Sequence, residues 1–480
     1  MGILQPDANE PAFASKPRRS LTLFDCICII VGTIIGSGIF KTAPDVASYA
    51  GSFGWMIAFW MFGGILSLVG ALCFAELSTM HREHVGGDYI YLKKAYGRPL
   101  AFMFAWASFW IIRPGNICAM GMAFAIYFDQ IIPIDSWTPF EGGNLIPYAL
   151  LSVGLLSGMN LIGLRTGKGT QNLLTSAKVI GIGGIVFVAF LFATPPESQS
   201  ITTKAPSLGS AWMAMVFVMF TFGGWNDIAL VAGEVKDPEK NLFRSLVLGT
   251  VLVTLIYVVV NLAFVYALGF SGMSQSEAVS TETVKSTFGG ATWLGRSSGA
   301  LISALVCVSC LGAINGMILT GPRIYYSAGR DFPPLAFLAQ WSKQRDVPWQ
   351  ATLLQAMITF CLILLCLGYK DAFQVIVAVV SPYFWGFLGL TAISLIVFRL
   401  GGGSKGGSKV AEGQKGFRVP LFPLEPIILL AVCIGLVGAS INWVIFNKYW
   451  TASLVVAGIR AAGVVVGIVL SRKYPAEIEE

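Results

Sequence analysis

The run Val31-Gly32-Thr33-Ile34-Ile35-Gly36-Ser37-Gly38-Ile39-Phe40 places three glycines inside the first long apolar stretch of the chain. Each interior glycine costs roughly 1 kcal/mol of helix propensity relative to alanine. A break there frees backbone N–H and C=O groups that lipid cannot satisfy, so it survives only where it is buried in protein or lines a cavity. Such groups can grip a small ligand. A half-helix starting again near Ser37 to Ile39 presents free N–H groups and the positive end of its dipole, which suits a carboxylate. Ser37 either adds a hydroxyl to that site or caps the half-helix. A second break is expected at Phe220-Thr221-Phe222-Gly223-Gly224-Trp225-Asn226-Asp227. There the preceding half-helix ends in free carbonyls, which accept from an ammonium group. An α-amino acid carries both groups on one carbon, so two facing breaks match it with backbone alone. Phe220, Phe222 and Trp225 either close over the ligand or pack the helices. Gly32-x-x-x-Gly36 taken alone also fits close helix packing; the pairing of two breaks in two halves is what points to a transporter's binding site.

Other polar residues sit in apolar runs. Lys178, in Thr175-Ser176-Ala177-Lys178, is expensive within a bilayer, roughly 2.5–3.5 kcal/mol on insertion scales. It either tethers span 5 to the first break, where other transporters hold a sodium ion, or snorkels to the interface. Arg113 lies mid-span and can pair with an acid or with carbonyls. Asp227 reads as a proton or cation site, or as a cap of the half-helix after the second break. Glu76 and Glu234 read as gate or helix-end charges, and no role is assigned to Arg460. The nine cysteines lie in apolar runs, and Cys307-x-x-Cys310 has no second pair. The two histidines, His81 and His84, share one loop. No metal, cofactor or enzymatic chemistry is therefore expected.

The chain that must hold these residues has 480 residues, of which 55% are hydrophobic and 12% charged. That composition is a polytopic membrane protein of the all-α class. The net charge of +7 does not point to nucleic acid, because the basic residues fall in short loops on alternate sides of the spans. Twelve spans are expected, at about 21–48, 53–79, 99–131, 145–162, 171–194, 209–234, 242–270, 292–326, 349–368, 371–399, 424–446 and 450–471. The loop concentration of Lys and Arg puts both termini in the cytoplasm of a cell-membrane protein. The organisation expected is a cytoplasmic tail (1–20), a five-span repeat (21–194), a second inverted five-span repeat (209–399), a Gly/Lys linker (400–423), two further spans (424–471) and a tail (472–480). Residues 81–99 suggest a short interfacial helix, and 271–291 form the longest outer loop.

Together, Gly32 to Phe40, Phe222-Gly223-Gly224-Trp225-Asn226, Ile111-Ile112-Arg113-Pro114, Asn315-Gly316 and Glu234-x-x-x-Pro238-x-x-Asn241-Leu242 resemble the L-type amino acid transporters of the amino acid–polyamine–organocation superfamily. The resemblance covers nearly the whole chain and is to a prokaryotic-type member. It implies a LeuT-type fold with spans 1 and 6 broken, and sodium-independent exchange of amino acids by alternating access. It implies carboxylate contacts at Ser37 and Gly38 and ammonium contacts at the carbonyls of Ile34, Phe220 and Gly223, with Ile35, Gly36 and Phe222 in the same site. It makes Phe220 a gating aromatic, Asn226 a polar support and Lys178 the substitute for sodium. Ile112, Met120 and residues near Ser381 to Trp385 would line the side-chain pocket. Animal members join a single-span partner through a cysteine after span 3. Residues 129–144 have none, so no disulfide-linked heavy chain is expected. Relatives that accept cationic amino acids carry an acid where this chain has Gly223, which favours neutral substrates. The alternative is a proton-coupled amino acid or polyamine permease, with Asp227 as its coupling residue.

Overall fold

The computed structural model describes residues 17–134, 143–195, 205–289, 292–367, 372–401, 417–446 and 450–474. Most of the expected linker, most of both tails and the middle of the loop 129–144 lie outside the described residues. Helix α1 (Leu23–Ile34) begins on a reciprocal cap. Thr22 Oγ1 accepts the Asp25 N–H at 3.3 Å, and the Thr22 N–H donates to Asp25 Oδ2 at 2.9 Å. The helix stops at Ile34, and α2 (Gly38–Ala50) resumes after a bend of 52°. Next come α3 (Phe53–Met80), the short α4 (Asp88–Tyr96), α5 (Arg98–Ala107), a π turn at Ser108–Ile112 and α6 (Arg113–Asp129). The π turn has a local cause. Pro114 has no N–H for the Trp110 carbonyl and its ring crowds it, and the Arg113 N–H reaches back to Ser108 O instead.

Helices α7 (Leu145–Ile162) and α8 (Leu164–Phe192) complete the first half. The second broken span runs from α9 (Leu208–Thr221), through an interruption, into a 3-10 segment at Trp225–Glu234 that is kinked at Val231. It is followed by α10 (Pro238–Gln275), α11 (Val279–Phe288), α12 (Trp293–Thr320), α13 (Pro322–Asp331), α14 (Trp349–Leu365), α15 (Ala372–Arg399), α16 (Leu424–Phe446) and α17 (Trp450–Lys473). Among the described residues there are no strands, only two isolated bridges. Among the described residues, ten helices or helix runs are long and apolar enough to cross a membrane, and the bent pair α1–α2 makes an eleventh. The remaining span expected from the sequence falls on α14, which at 17 residues is shorter than the others. The outer helices turn apolar side chains outward, among them Ile180, Leu191, Leu454 and Val455. That is the surface of a multi-pass membrane protein, whose solvent is lipid.

The segments expected as a short interfacial helix and as the longest outer loop both hold helices with buried faces. The segment expected to lie at the interface is α4, and it is sunk into the bundle: Tyr89, Tyr91 and Leu92 are buried, and Asp88 accepts a hydrogen bond from Thr391 of α15 at 2.9 Å. Its glycines, Gly86 and Gly87, both take positive φ and turn the chain inward. The long outer loop contains α11, with Val279, Thr283 and Val284 buried.

The end of the bundle carrying most Lys and Arg is closed by carboxylates held in buried or half-buried pairs. Glu234 takes two bonds from Arg323, both 2.8 Å, with both side chains almost fully buried. Glu76 takes Arg399 Nε and the Val419 N–H, each at 2.7 Å. The N–H groups of Ser20 and Leu21 donate to Glu234 O at 2.8 and 2.9 Å, and Leu21 O accepts from Lys236. The entry of span 1 is thus bonded to the exit of span 6. Glu234→Leu strands the Arg323 guanidinium and is expected to lower stability by about 3–5 kcal/mol, whereas Glu234→Leu with Arg323→Met recovers most of it. Thermal unfolding in detergent reads this, and a double variant no more stable than the single one would contradict it.

Candidate ligand site between two broken helices

At the first break, Ile35 leaves helical geometry with ψ of 89°. Its N–H still reaches Val31 O and the Gly36 N–H turns back to Ile34 O, both at 3.0 Å. Ser37 is buried, is helical, and makes no side-chain cap to α2. Its hydroxyl bonds with the Cys310 thiol, so of its two readings capping is not the one seen. The N–H groups that open α2 are those any helix N-terminus leaves without intrahelical partners.

At the second break, α9 ends at Thr221, and the Gly223 N–H donates to Phe220 O at 3.2 Å. Gly224 takes φ of 114°, and a Cβ there would lie 3.0 Å from Thr33 Cγ2 of α1. Only glycine fits both requirements. The breaks therefore abut. A Cβ on Gly38 would lie 3.1 Å from Thr221 Cγ2, and the hydroxyls of Thr42 and Thr221 are 2.8 Å apart.

Lys178 is fully buried. Its ammonium donates to Gly32 O at 2.9 Å, Ile35 O at 2.6 Å and Ser309 O at 3.0 Å. All three of its donors are used. Gly312 makes room for it, since a Cβ there would stand 2.7 Å from Nζ. Lys178 thus ties α8 to the last turn and break of α1 and to α12, and it does not reach the interface.

Other bonds to the first broken span were not read from the sequence. Tyr257 of α10 lies between the two breaks, 3.3 Å from Ile34 O and 3.1 Å from Thr221 O. Gln171 and Thr175 of α8 donate to Cys28 O at 3.2 and 2.9 Å. Gln171 is held in turn by Asn315, and Asn315 by Asn160, at 2.8 and 2.7 Å. Apart from Tyr257 with Thr221, these contacts join residues far apart in the chain, and no local pattern marks them; only Asn315-Gly316 carried a signal.

The remaining candidates separate into groups. Met120 lies against the first break, its sulfur 3.2 Å from where a Gly36 Cβ would be. Phe220 is half-buried, whereas Phe222 is fully buried against Tyr257, ring centroids 5.0 Å apart, and Trp225 stands edge-on to Phe74 at 5.2 Å. Ile112 and Asn226 line one cavity together with Arg113 and Asp88. Asp227 is clamped by Arg113 through two bonds, 2.7 and 2.8 Å, and takes a third from Thr320 at 3.1 Å. Arg460 bonds with Tyr383 of α15, next to a bond of 2.8 Å from Trp106 to Ile459 O, so it fastens α17 to the bundle. Among the described residues no His, Cys, Asp and Glu side chains gather as metal ligands would.

Comparison with known proteins agrees with this architecture. A profile described as "Amino acid permease" matches residues 21–448. The mouse protein named b(0,+)-type amino acid transporter 1 is 29% identical over 433 residues, 88% of this chain and 83% of that one. Its human counterpart is 29% identical over 445 residues, 90% and 85% of the two chains. The mouse protein named Large neutral amino acids transporter small subunit 2 is 30% identical over 389 residues, 80% of this chain and 70% of that one. Two abutting helix breaks in a multi-pass membrane bundle, matched over most of its length by amino acid transporters, place the chain in the amino acid permease family, on the L-type branch of the amino acid–polyamine–organocation superfamily.

Proposed function

We propose that this amino acid transporter is a sodium-independent exchanger of neutral L-amino acids, working by alternating access. The observation that carries the reading is Lys178. Its amino group donates to carbonyls of the first break and of α12, where it would stand in for a sodium ion. The substrate carboxylate would bind the N–H groups at Ser37 and Gly38, on the positive end of α2. The ammonium would bind the carbonyls of Ile34, Phe220 and Gly223. Ile34 O now accepts from the Gly36 N–H and the Tyr257 hydroxyl, and Phe220 O from the N–H groups of Phe222 and Gly223, so the ammonium would take the place of these bonds. Met120 and Ile112 would meet the substrate side chain and Phe220 would gate it. Gly223 supports neutral substrates, because it brings no charge to the second break.

The basic-loop pattern supports a cell-membrane protein with cytoplasmic termini. One relative is named a small subunit. The loop 129–144 of this chain has no cysteine, which supports function without a disulfide-linked partner. The proton-coupled alternative needs a carboxyl free to exchange a proton, and the clamp of Arg113 and Thr320 on Asp227 weighs against that residue.

Efflux of labelled amino acid from proteoliposomes, without sodium and at equal pH, is expected when neutral amino acids are supplied outside, and not when none is supplied. Transport that strictly requires a sodium or proton gradient would reject the exchanger. Lys178→Met, which leaves three buried carbonyls without their donor, is expected to cut exchange at least about tenfold with folded protein still recovered from the membrane. Undiminished exchange by that variant would remove Lys178 from the mechanism.

A further inference from the structure

Next to the two breaks is a cavity that the backbone contacts described above do not use. Its polar lining is Asp88, Ser108, Arg113 and Asn226, set against an apolar wall that includes Phe104 and Phe387. All four polar residues are at most 5% exposed. Three of their atoms have no partner: Ser108 Oγ, Arg113 Nε and Asn226 Oδ1. Unpaired buried polar atoms cost about 1–3 kcal/mol each. The free space, about 20 Å3 for the centre of a water, holds about one or two water molecules. Unpaired donors and acceptors around such a space are the conditions under which a buried water is kept.

The chamber has a direction. Ser108 begins the π turn and Ile112 ends it, beside the breaks; Phe104 lies about 12 Å back along α5 toward the basic face, and α4 lies at that face. The cavity therefore leads from the depth of the candidate ligand site to Asp88. We propose that it is a proton-binding station on the cytoplasmic half of the transport path, with Asp88 as the acceptor and Arg113 as the group that responds to its charge. The inference rests on the exchanger reading and its sidedness, because its consequence is for substrate release on that face.

The groups around Asp88 are few. Arg113 and Asp227 act on it across the chamber, and Thr391 of α15 donates to its Oδ1. Tyr91 on its own helix is bonded to Ser78. Charges on the other packed helices are engaged elsewhere. Asp331 of α13 is held by Lys93 and Tyr89, Arg323 by Glu234 and Arg330 by Tyr326. Arg98 of α5 donates to the carbonyls of Asp331 and Tyr474. Burial pushes the Asp88 carboxyl up to about 6, against the Thr391 bond and the Arg113 charge that hold it down.

Ionised Asp88 draws on the Nε edge of Arg113, which Asp227 leaves unused. One proton taken from the cytoplasmic side converts the carboxylate to a neutral carboxyl, and no other covalent bond changes. Arg113 then belongs to Asp227 alone. That pair joins span 3 to the second half of span 6, so acid on this face tightens the closure and slows release, while ionisation loosens it.

The test varies internal pH in right-side-out membrane vesicles during exchange of a neutral amino acid, with external pH fixed. Wild-type exchange is expected to fall about fivefold between internal pH 7.5 and 5.5, with its midpoint near 6. Asp88→Asn, a stand-in for the neutral carboxyl, should run at the low rate throughout; a wild-type pH profile in this variant overturns the proposal. Thr391→Val leaves the acid in place and should raise the midpoint. The second readout needs no transport. In pH-difference infrared spectra of the purified full-length protein, a carboxyl C=O band should titrate near pH 6 and be missing in Asp88→Asn. Its persistence in that variant, or a midpoint unmoved by Thr391→Val, overturns the assignment. Wild-type protein that shows the band but no exchange at any pH would reject the exchanger and keep the proton site.

Discussion

A helix that stops inside a bilayer must have its broken backbone groups met by protein, since hydrocarbon meets none and each one left bare costs several kcal/mol. The rest of this architecture follows from that requirement. Lys178 supplies three donors to the first break and to α12. Tyr257 supplies a hydroxyl between the two breaks. Gln171 and Thr175 reach the turn below, and Asn315 and Asn160 fix Gln171 in place. Each donor comes from a helix outside the two broken spans, so those spans are held by a frame of other helices. The backbone groups left over at the junction are those of the candidate ligand site.

The breaks themselves were legible in the sequence because closely spaced glycines weaken an apolar helix at one place, and the same weakness recurs in the second half of the chain. Lys178 was legible because its cost in a membrane demands a return. Tyr257 and Gln171 were not: a tyrosine or glutamine in an apolar helix looks the same whether it packs or bonds to a carbonyl of a distant span. Phe222 and Trp225 were ambiguous for a related reason, since an aromatic beside a break can cover a ligand or fill a helix contact. Their burial against Tyr257 and Phe74 shows the packing role. The π turn had a signal in Pro114, two residues beyond its end. The depth of α4 did not show, because its tyrosines and lysines read as a surface helix until α15 is placed over it.

Arginine is the common element in the buried charge of this molecule. Arg113 holds Asp227, Arg323 holds Glu234 and Arg399 holds Glu76. Two-pronged pairing suits a site where water is scarce, because the planar fork fills both carboxylate oxygens at once. These pairs connect helices that belong to different parts of the bundle: α6 or α13 to the second broken span, and α15 to α3. They are strong while closed, and opening any of them exposes two charges together. That gives the bundle discrete arrangements in place of gradual deformation.

The second half of span 6 has a property of a different kind. Trp225–Glu234 is two short 3-10 stretches meeting at a kink, where Val231 leaves helical geometry with φ of −107° and ψ of 16°. The segment is thus a strut with a joint in it. Its far end carries the Glu234 carbonyl to which Ser20 and Leu21 are bonded. A change of angle at that joint would draw the start of span 1 along with the end of span 6, so that a bend in one broken span becomes a displacement of the other.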